Sequence, residues 1–153
     1  MREFVPGEPR DLVLVSDEVC PPRLRVLVAD DDGSDRLLTI QHLGLAWPVE
    51  RDILVECSEN GWDALEMIRR RQFGLVVLDA NMPDLGGTSV LRSMRADGLR
   101  VPVVVVVDEI CETLAGDLES MAAAFVSKNF LDPISFGSAI VESIHLQLLA
   151  GRL

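Results

Sequence analysis

The side chains best placed by type and spacing to do chemistry are carboxylates: the run Asp30-Asp31-Asp32, the lone Asp79, and with them the ammonium of Lys128. Asp79 ends the apolar run Val77-Leu78, and Ala80-Asn81-Met82-Pro83 turns the chain sharply after it. Asp30 likewise ends an apolar run, Leu24 to Ala29. Such runs read as buried parallel strands that expose their last residue at the carboxyl edge of a sheet. Open α/β sheets bind and react at that edge. Carboxylates crowded there raise one another's pKa unless a cation neutralises them. Oxygen donors without a nearby His or Cys suit a hard cation, magnesium first, with manganese or calcium able to substitute. A metal and a lysine flanking a carboxylate are what phosphoryl transfer onto that carboxylate requires.

The elements that must position these groups follow in order. After the first strand, Asp30 to Ser34 breaks into a helix through Leu37, Leu38 and Ile40 that is expected to stop near Gly44. Ile53 to Cys57 is the second strand. Ser58 or Asn60 caps a helix carrying Ala64, Leu65 and Ile68, and Arg69-Arg70-Arg71 suits its C-terminus. Gly74 to Leu78 is the third strand, followed by a helix from Gly87 to about Arg95. Val103 to Val107 is the fourth, apolar enough for burial on both faces. A weaker helix pattern, interrupted by Gly116, runs from about Glu109 to Met121, and Ala124 to Ser127 is a fifth strand ending at Lys128. Asp132-Pro133 caps a last helix with Phe136, Ile140, Val141, Ile144 and Leu148 on one face. Strands alternating with helices predict a doubly wound five-stranded parallel sheet. In the order 2-1-3-4-5, Asp30 and Asp31 face Asp79 across the switch point.

With 153 residues, the chain has one domain's length, assigned here to residues 23–150. Residues 1–22, closed by Pro21-Pro22, form an extension, either a flexible tail or an arm packed on a neighbour. The net charge of −11 disfavours direct binding to nucleic acid or anionic membranes. The longest apolar run, Val101 to Val107, is too short to cross a bilayer, and the acidic start is unlike a secretory signal, so a cytoplasmic location is expected. Cys20, Cys57 and Cys111 are odd in number and widely spaced, which points to reduced thiols rather than a disulfide framework or a zinc site. His42 and His145 lack ligand partners at metal spacing, and Trp47 and Trp62 read as packing residues.

From Leu24 to Leu149 the chain resembles the receiver domain of two-component response regulators, close to the single-domain chemotaxis type with its flavodoxin-like fold. The residues that carry the resemblance are Val28-Ala29-Asp30-Asp31, Asp79-x-Asn81-Met82-Pro83 with Gly87, and Phe125-x-x-Lys128. The resemblance implies a phosphoacceptor at Asp79 and a direct magnesium ligand at Asp31, with Asp30 holding the metal through water. It also implies an Asn81 backbone carbonyl on the metal and a phosphoryl contact at Lys128. Phe125 matches an aromatic whose rotation reports phosphorylation to a surface of helix four, strand five and helix five. Expected partners are a sensor histidine kinase or histidine phosphotransfer protein and an output protein, the domain being a monomer or weak homodimer. It would be a signalling domain, assisting only its own phosphorylation and dephosphorylation.

Three departures from the family pattern bear on the switch. Val107 stands where a Ser or Thr is usual, so the hydroxyl that donates to the phosphoryl group is lost, and Asp108 adds a negative charge where a small residue is usual. Asn129 replaces the usual Pro after the lysine, which removes the preference for a cis peptide there. Two other readings compete. A receiver-like module could bind its partner without phosphorylation. Asp30-Asp31-Asp32-Gly33-Ser34 is also similar to the start of haloacid-dehalogenase-like phosphatases, with Asp30 as nucleophile and Asp32 as acid, although Gly116-Asp117 lacks the further acidic residue that family needs.

Overall fold

The computed structural model describes residues 23–46 and 52–151. Five strands and five helices alternate: β1 (Arg23–Ala29), α1 (Gly33–Ala46), β2 (Asp52–Ser58), α2 (Gly61–Arg70), β3 (Leu75–Asp79), α3 (Gly87–Ala96), β4 (Val103–Val107), α4 (Glu112–Ser120), β5 (Ala124–Ser127) and α5 (Pro133–Ala150). The sheet is parallel throughout, in the order β2-β1-β3-β4-β5 expected from the sequence.

Side chains of a strand alternate between faces, and here that alternation builds two cores. Val26, Val28, Val77, Val104 and Val106 meet Leu43 and Ala46 of α1 and Phe136 and Ile140 of α5. Leu27, Ala29, Val76, Leu78, Val105 and Val107 meet Leu65 and Ile68 of α2, Leu91 and Met94 of α3 and Leu118 of α4. β3 and β4 are buried along their whole length, as near-continuous apolar runs between two helical layers should be.

Four expectations need correction. α1 does not stop at Gly44 but runs to Ala46. A glycine inside a helix costs about 1 kcal/mol relative to alanine, and the buried Leu43 and Ala46 on either side offset it. On α5, Phe136 and Ile140 are buried and Val141 and Ile144 are half-buried, whereas Leu148 is 56% exposed. Trp62 is no packing residue, since it lies on the outer face of α2 with 59% of its surface exposed. α4 is also shorter than its pattern suggested, starting after Cys111, whose sulfur accepts a hydrogen bond from the Leu114 amide at 3.4 Å. The expectations for residues 1–22, Cys20 and Trp47 lie outside the described residues.

Candidate functional site

Register places the chemistry. Ala29 of β1 pairs with Leu78 of β3, so the next residues, Asp30 and Asp79, stand side by side at the carboxyl edge of the sheet. Asp79 itself pairs with Val106 of β4. Both carboxylates are withdrawn from solvent, Asp30 at 3% and Asp79 at 2% exposure, while Asp31 remains exposed. One carboxylate oxygen from each of Asp30, Asp31 and Asp79 lies within 4.8 Å of the others.

The loops hold these groups by short local bonds. The Asp32 amide donates to Asp30 Oδ1 at 3.0 Å, and the Asn81 amide donates to Asp79 Oδ1 at 3.0 Å. The turn after β3 then folds back so closely that a Cβ on Gly87 would collide with the Asp79 carbonyl oxygen, which explains the glycine at the start of α3. Asp32 faces elsewhere: its Oδ1 accepts from the Ser34 amide at 2.8 Å and the Asp35 amide at 3.0 Å, capping α1. The phosphatase reading assigns the role of general acid to Asp32, which here serves as the cap of α1.

Lys128, the first residue of a short 3₁₀ turn after β5 (Lys128–Phe130), reaches back over the crevice. Its Nζ lies 3.2 Å from Asp79 Oδ2, 3.4 Å from Asp35 Oδ2 and 3.9 Å from Asp108 Oδ1. Burial works against the ammonium, but the hydrogen bond and charge of Asp79, with Asp30 and Asp35 behind it, outweigh burial and raise its pKa above the usual lysine value. Asp30 is also shifted upward, in its case mainly by burial. Burial, opposed by the Asp32 amide and reinforced by the Asp79 charge, pushes its carboxyl up to about 6. A neutralising cation is what such a group lacks.

The structure thus gathers Asp30, Asp31, Asp79 and Lys128 in one crevice. Asn81 stands at its rim, and Val107 lies in the core beneath it at 1% exposure. Phe125 is further off on β5, its side chain outward and 38% exposed rather than filling the core. Two groups were missed in the sequence. Asp35 shares Lys128, and Arg36 Nη1 donates to the Asp30 carbonyl at 2.8 Å, tying the β1–α1 loop to its helix. The available signal was their position on the first turn of α1, one turn beyond the acidic run.

A doubly wound α/β domain with an acidic crevice at its switch point and a lysine across it defines the class. Residues 26–136 match the family described as the response regulator receiver domain, and the chain belongs to that family. It is 33% identical over 109 residues to the response regulator MprA of Mycobacterium leprae (strain TN), covering 70% of this chain and 45% of that protein. It is 34% identical over 109 residues to MprA of Mycobacterium ulcerans (strain Agy99), covering 70% of this chain and 44% of that protein. The chain therefore spans less than half the length of these curated relatives. Among solved structures, the Francisella response regulator 1452 receiver domain superposes with a TM-score of 0.63 at 24% identity, over 83% of this chain and 98% of the other. A CheY-like receiver domain from Methanospirillum hungatei JF-1 gives a TM-score of 0.68 at 22% identity, over 84% and 98%. At these identities the likeness is one of fold.

Proposed function

We propose that this receiver domain accepts a phosphoryl group on Asp79 from a phosphohistidine of a sensor kinase or histidine phosphotransfer protein, with magnesium bound in the crevice. The observation that carries this reading is the buried Asp79 carboxylate, held at 3.2 Å by Lys128, with the Asp30 and Asp31 carboxylates within 4.8 Å. The donor set fits the ion: three carboxylates, all oxygen, one of them with its pKa raised to about 6. Asp31 and Asp79 would hold it directly, Asn81 through its backbone carbonyl and Asp30 through water. Bound there, a hard divalent cation supplies charge neutralisation for the crowded carboxylates and for the incoming phosphoryl oxygens.

The remaining work belongs to the chain. An Asp79 oxygen attacks phosphorus, the bond from phosphorus to the histidine nitrogen breaks, and the imidazole leaves with the electron pair. Lys128 stands where it can give up its contact to Asp79 for one to a phosphoryl oxygen. Asp35 keeps that ammonium close as it moves. The half-exposed Phe125 and the α4, β5 and α5 surface around it supply the face on which an output protein would read the change. No helix among the described residues is long and apolar enough to cross a membrane, and the reading places the domain in the cytoplasm, as a monomer or weak homodimer.

A second reading, binding without phosphorylation, is favoured by one observation: the position expected to donate a hydroxyl is the fully apolar, buried Val107. Intact-mass measurement with magnesium and acetyl phosphate separates the two. The first reading predicts the gain of one phosphoryl group, abolished by EDTA. No gain, with magnesium binding confirmed by calorimetry, would contradict it in favour of the second.

A further inference from the structure

Two of the residues that depart from the family pattern, Asp108 and Asn129, meet at one place. The Asn81 side-chain amide donates to Asp108 Oδ2 at 2.6 Å, linking the loop after β3 to the end of β4 across the rim of the crevice. The other oxygen of Asp108 lies 3.9 Å from Lys128 Nζ. The backbone of Asp108 is fixed as well: its carbonyl accepts from Ser127 Oγ at 3.3 Å and from Asn129 Nδ2 at 3.5 Å. Ser127 Oγ in turn accepts from the Asn129 amide at 3.3 Å. Asn129, standing in place of the usual proline, thus anchors the residue that replaces the usual small one.

We propose that Asp108 and Asn81 form a clasp over the Asp79 crevice, making Asp108 a positioning residue that restrains phosphoryl transfer from small anionic donors. The proposal rests on Asp79 being the phosphoacceptor. A donor phosphate must bring its oxygens to Lys128 and past Asn81, and the Asp108 carboxylate stands against both needs. It pairs with the Asn81 amide, and it presents a negative charge near the ammonium that the phosphate requires. Its side chain is 61% exposed, so the clasp swings out at small cost and restrains the transfer without blocking it. A phosphohistidine protein that brings a cationic side chain to Asp108 would open it.

The test compares phosphorylation rates with acetyl phosphate and magnesium in the wild type, Asp108→Asn and Asp108→Ala, at low and high salt. Asp108→Asn keeps an oxygen for the Asn81 amide and loses only the charge, whereas Asp108→Ala loses both. The clasp predicts that Asp108→Ala is about fivefold faster than wild type, equivalent to about 1 kcal/mol in the barrier, with Asp108→Asn in between. The advantage of Asp108→Asn should fade at high salt, where charge is screened, and part of that of Asp108→Ala should persist. A merely structural Asp108 would not produce that split. Equal rates in all three proteins, or a slower Asp108→Ala, would overturn the clasp while leaving Asp79 as phosphoacceptor. No phosphorylation of any of them, with magnesium bound, would overturn the phosphoacceptor reading and the clasp together.

Discussion

Replacing Asp30 by asparagine should stabilise the magnesium-free protein and weaken its hold on magnesium. Asp30 is 3% exposed, and burial together with the neighbouring Asp79 raises its carboxyl from 3.8 to about 6. The fold therefore keeps a proton on Asp30 through a window in which the unfolded chain has released it. The stability associated with this group is fully present below about pH 4 and is lost as the pH rises through about 6. Above that window the wild type carries a buried charge that Asp30→Asn does not. A displacement of this size corresponds to roughly 3 kcal/mol at most, at about 1.4 kcal/mol per pKa unit. Thermal unfolding in EDTA at about pH 7.5 should show a higher midpoint for Asp30→Asn, and the difference should shrink toward about pH 4. In magnesium the order should narrow or reverse, because on the proposed ligand set Asp30 holds the metal through water, and losing such a group typically weakens binding roughly 10- to 100-fold. An unchanged midpoint in EDTA together with unchanged magnesium affinity would remove Asp30 from the site.

Val107→Thr should sharpen the switch at the expense of the resting fold. Val107 is 1% exposed and packs with Leu78, Val105 and Leu118 in one core. Threonine has nearly the same shape, but a hydroxyl buried there without a partner costs roughly 1 to 3 kcal/mol. On the proposed function a phosphoryl group on Asp79 would supply the missing partner, and a hydrogen bond to a charged group is worth roughly 1.5 to 3 kcal/mol. Both effects favour the phosphorylated conformation, and about 2 kcal/mol of added coupling is a roughly 30-fold shift in population. The unphosphorylated variant should unfold at a lower temperature. On phosphorylation, the amide resonances of Phe125 and its neighbours should move further than in wild type. A variant that is destabilised but whose resonances move no further on phosphorylation would show that the hydroxyl does not take part in the switch.

How much was legible in the sequence differs between fold and site. The parallel sheet followed from apolar runs that alternate with helix patterns, and the crevice from taking the doubly wound order 2-1-3-4-5, which sets the charged ends of the first and third runs side by side. The match of residues 26–136 to the receiver family agrees with that reading. Periodicity served less well where burial depends on the neighbours. Leu148 fits the apolar stripe of α5 by spacing, yet Gln147 beside it donates to the Ala122 carbonyl at 3.0 Å while Leu148 itself is left exposed. The presence of Asp108 near the site was legible as a charge, but its bond to Asn81 was not. That contact joins two loops 27 residues apart, and no local pattern records it. Asp35 was hidden for a related reason: a helical carboxylate looks solvated until the lysine that follows β5 arrives beside it.

The most direct test of the account is to find which carboxylate carries the phosphoryl group. After incubation with magnesium and acetyl phosphate, borohydride reduction converts an aspartyl phosphate to homoserine, and peptide sequencing by mass spectrometry locates it. The account predicts homoserine at position 79 alone. Homoserine at position 30 would contradict it and return the acidic run to the role of nucleophile.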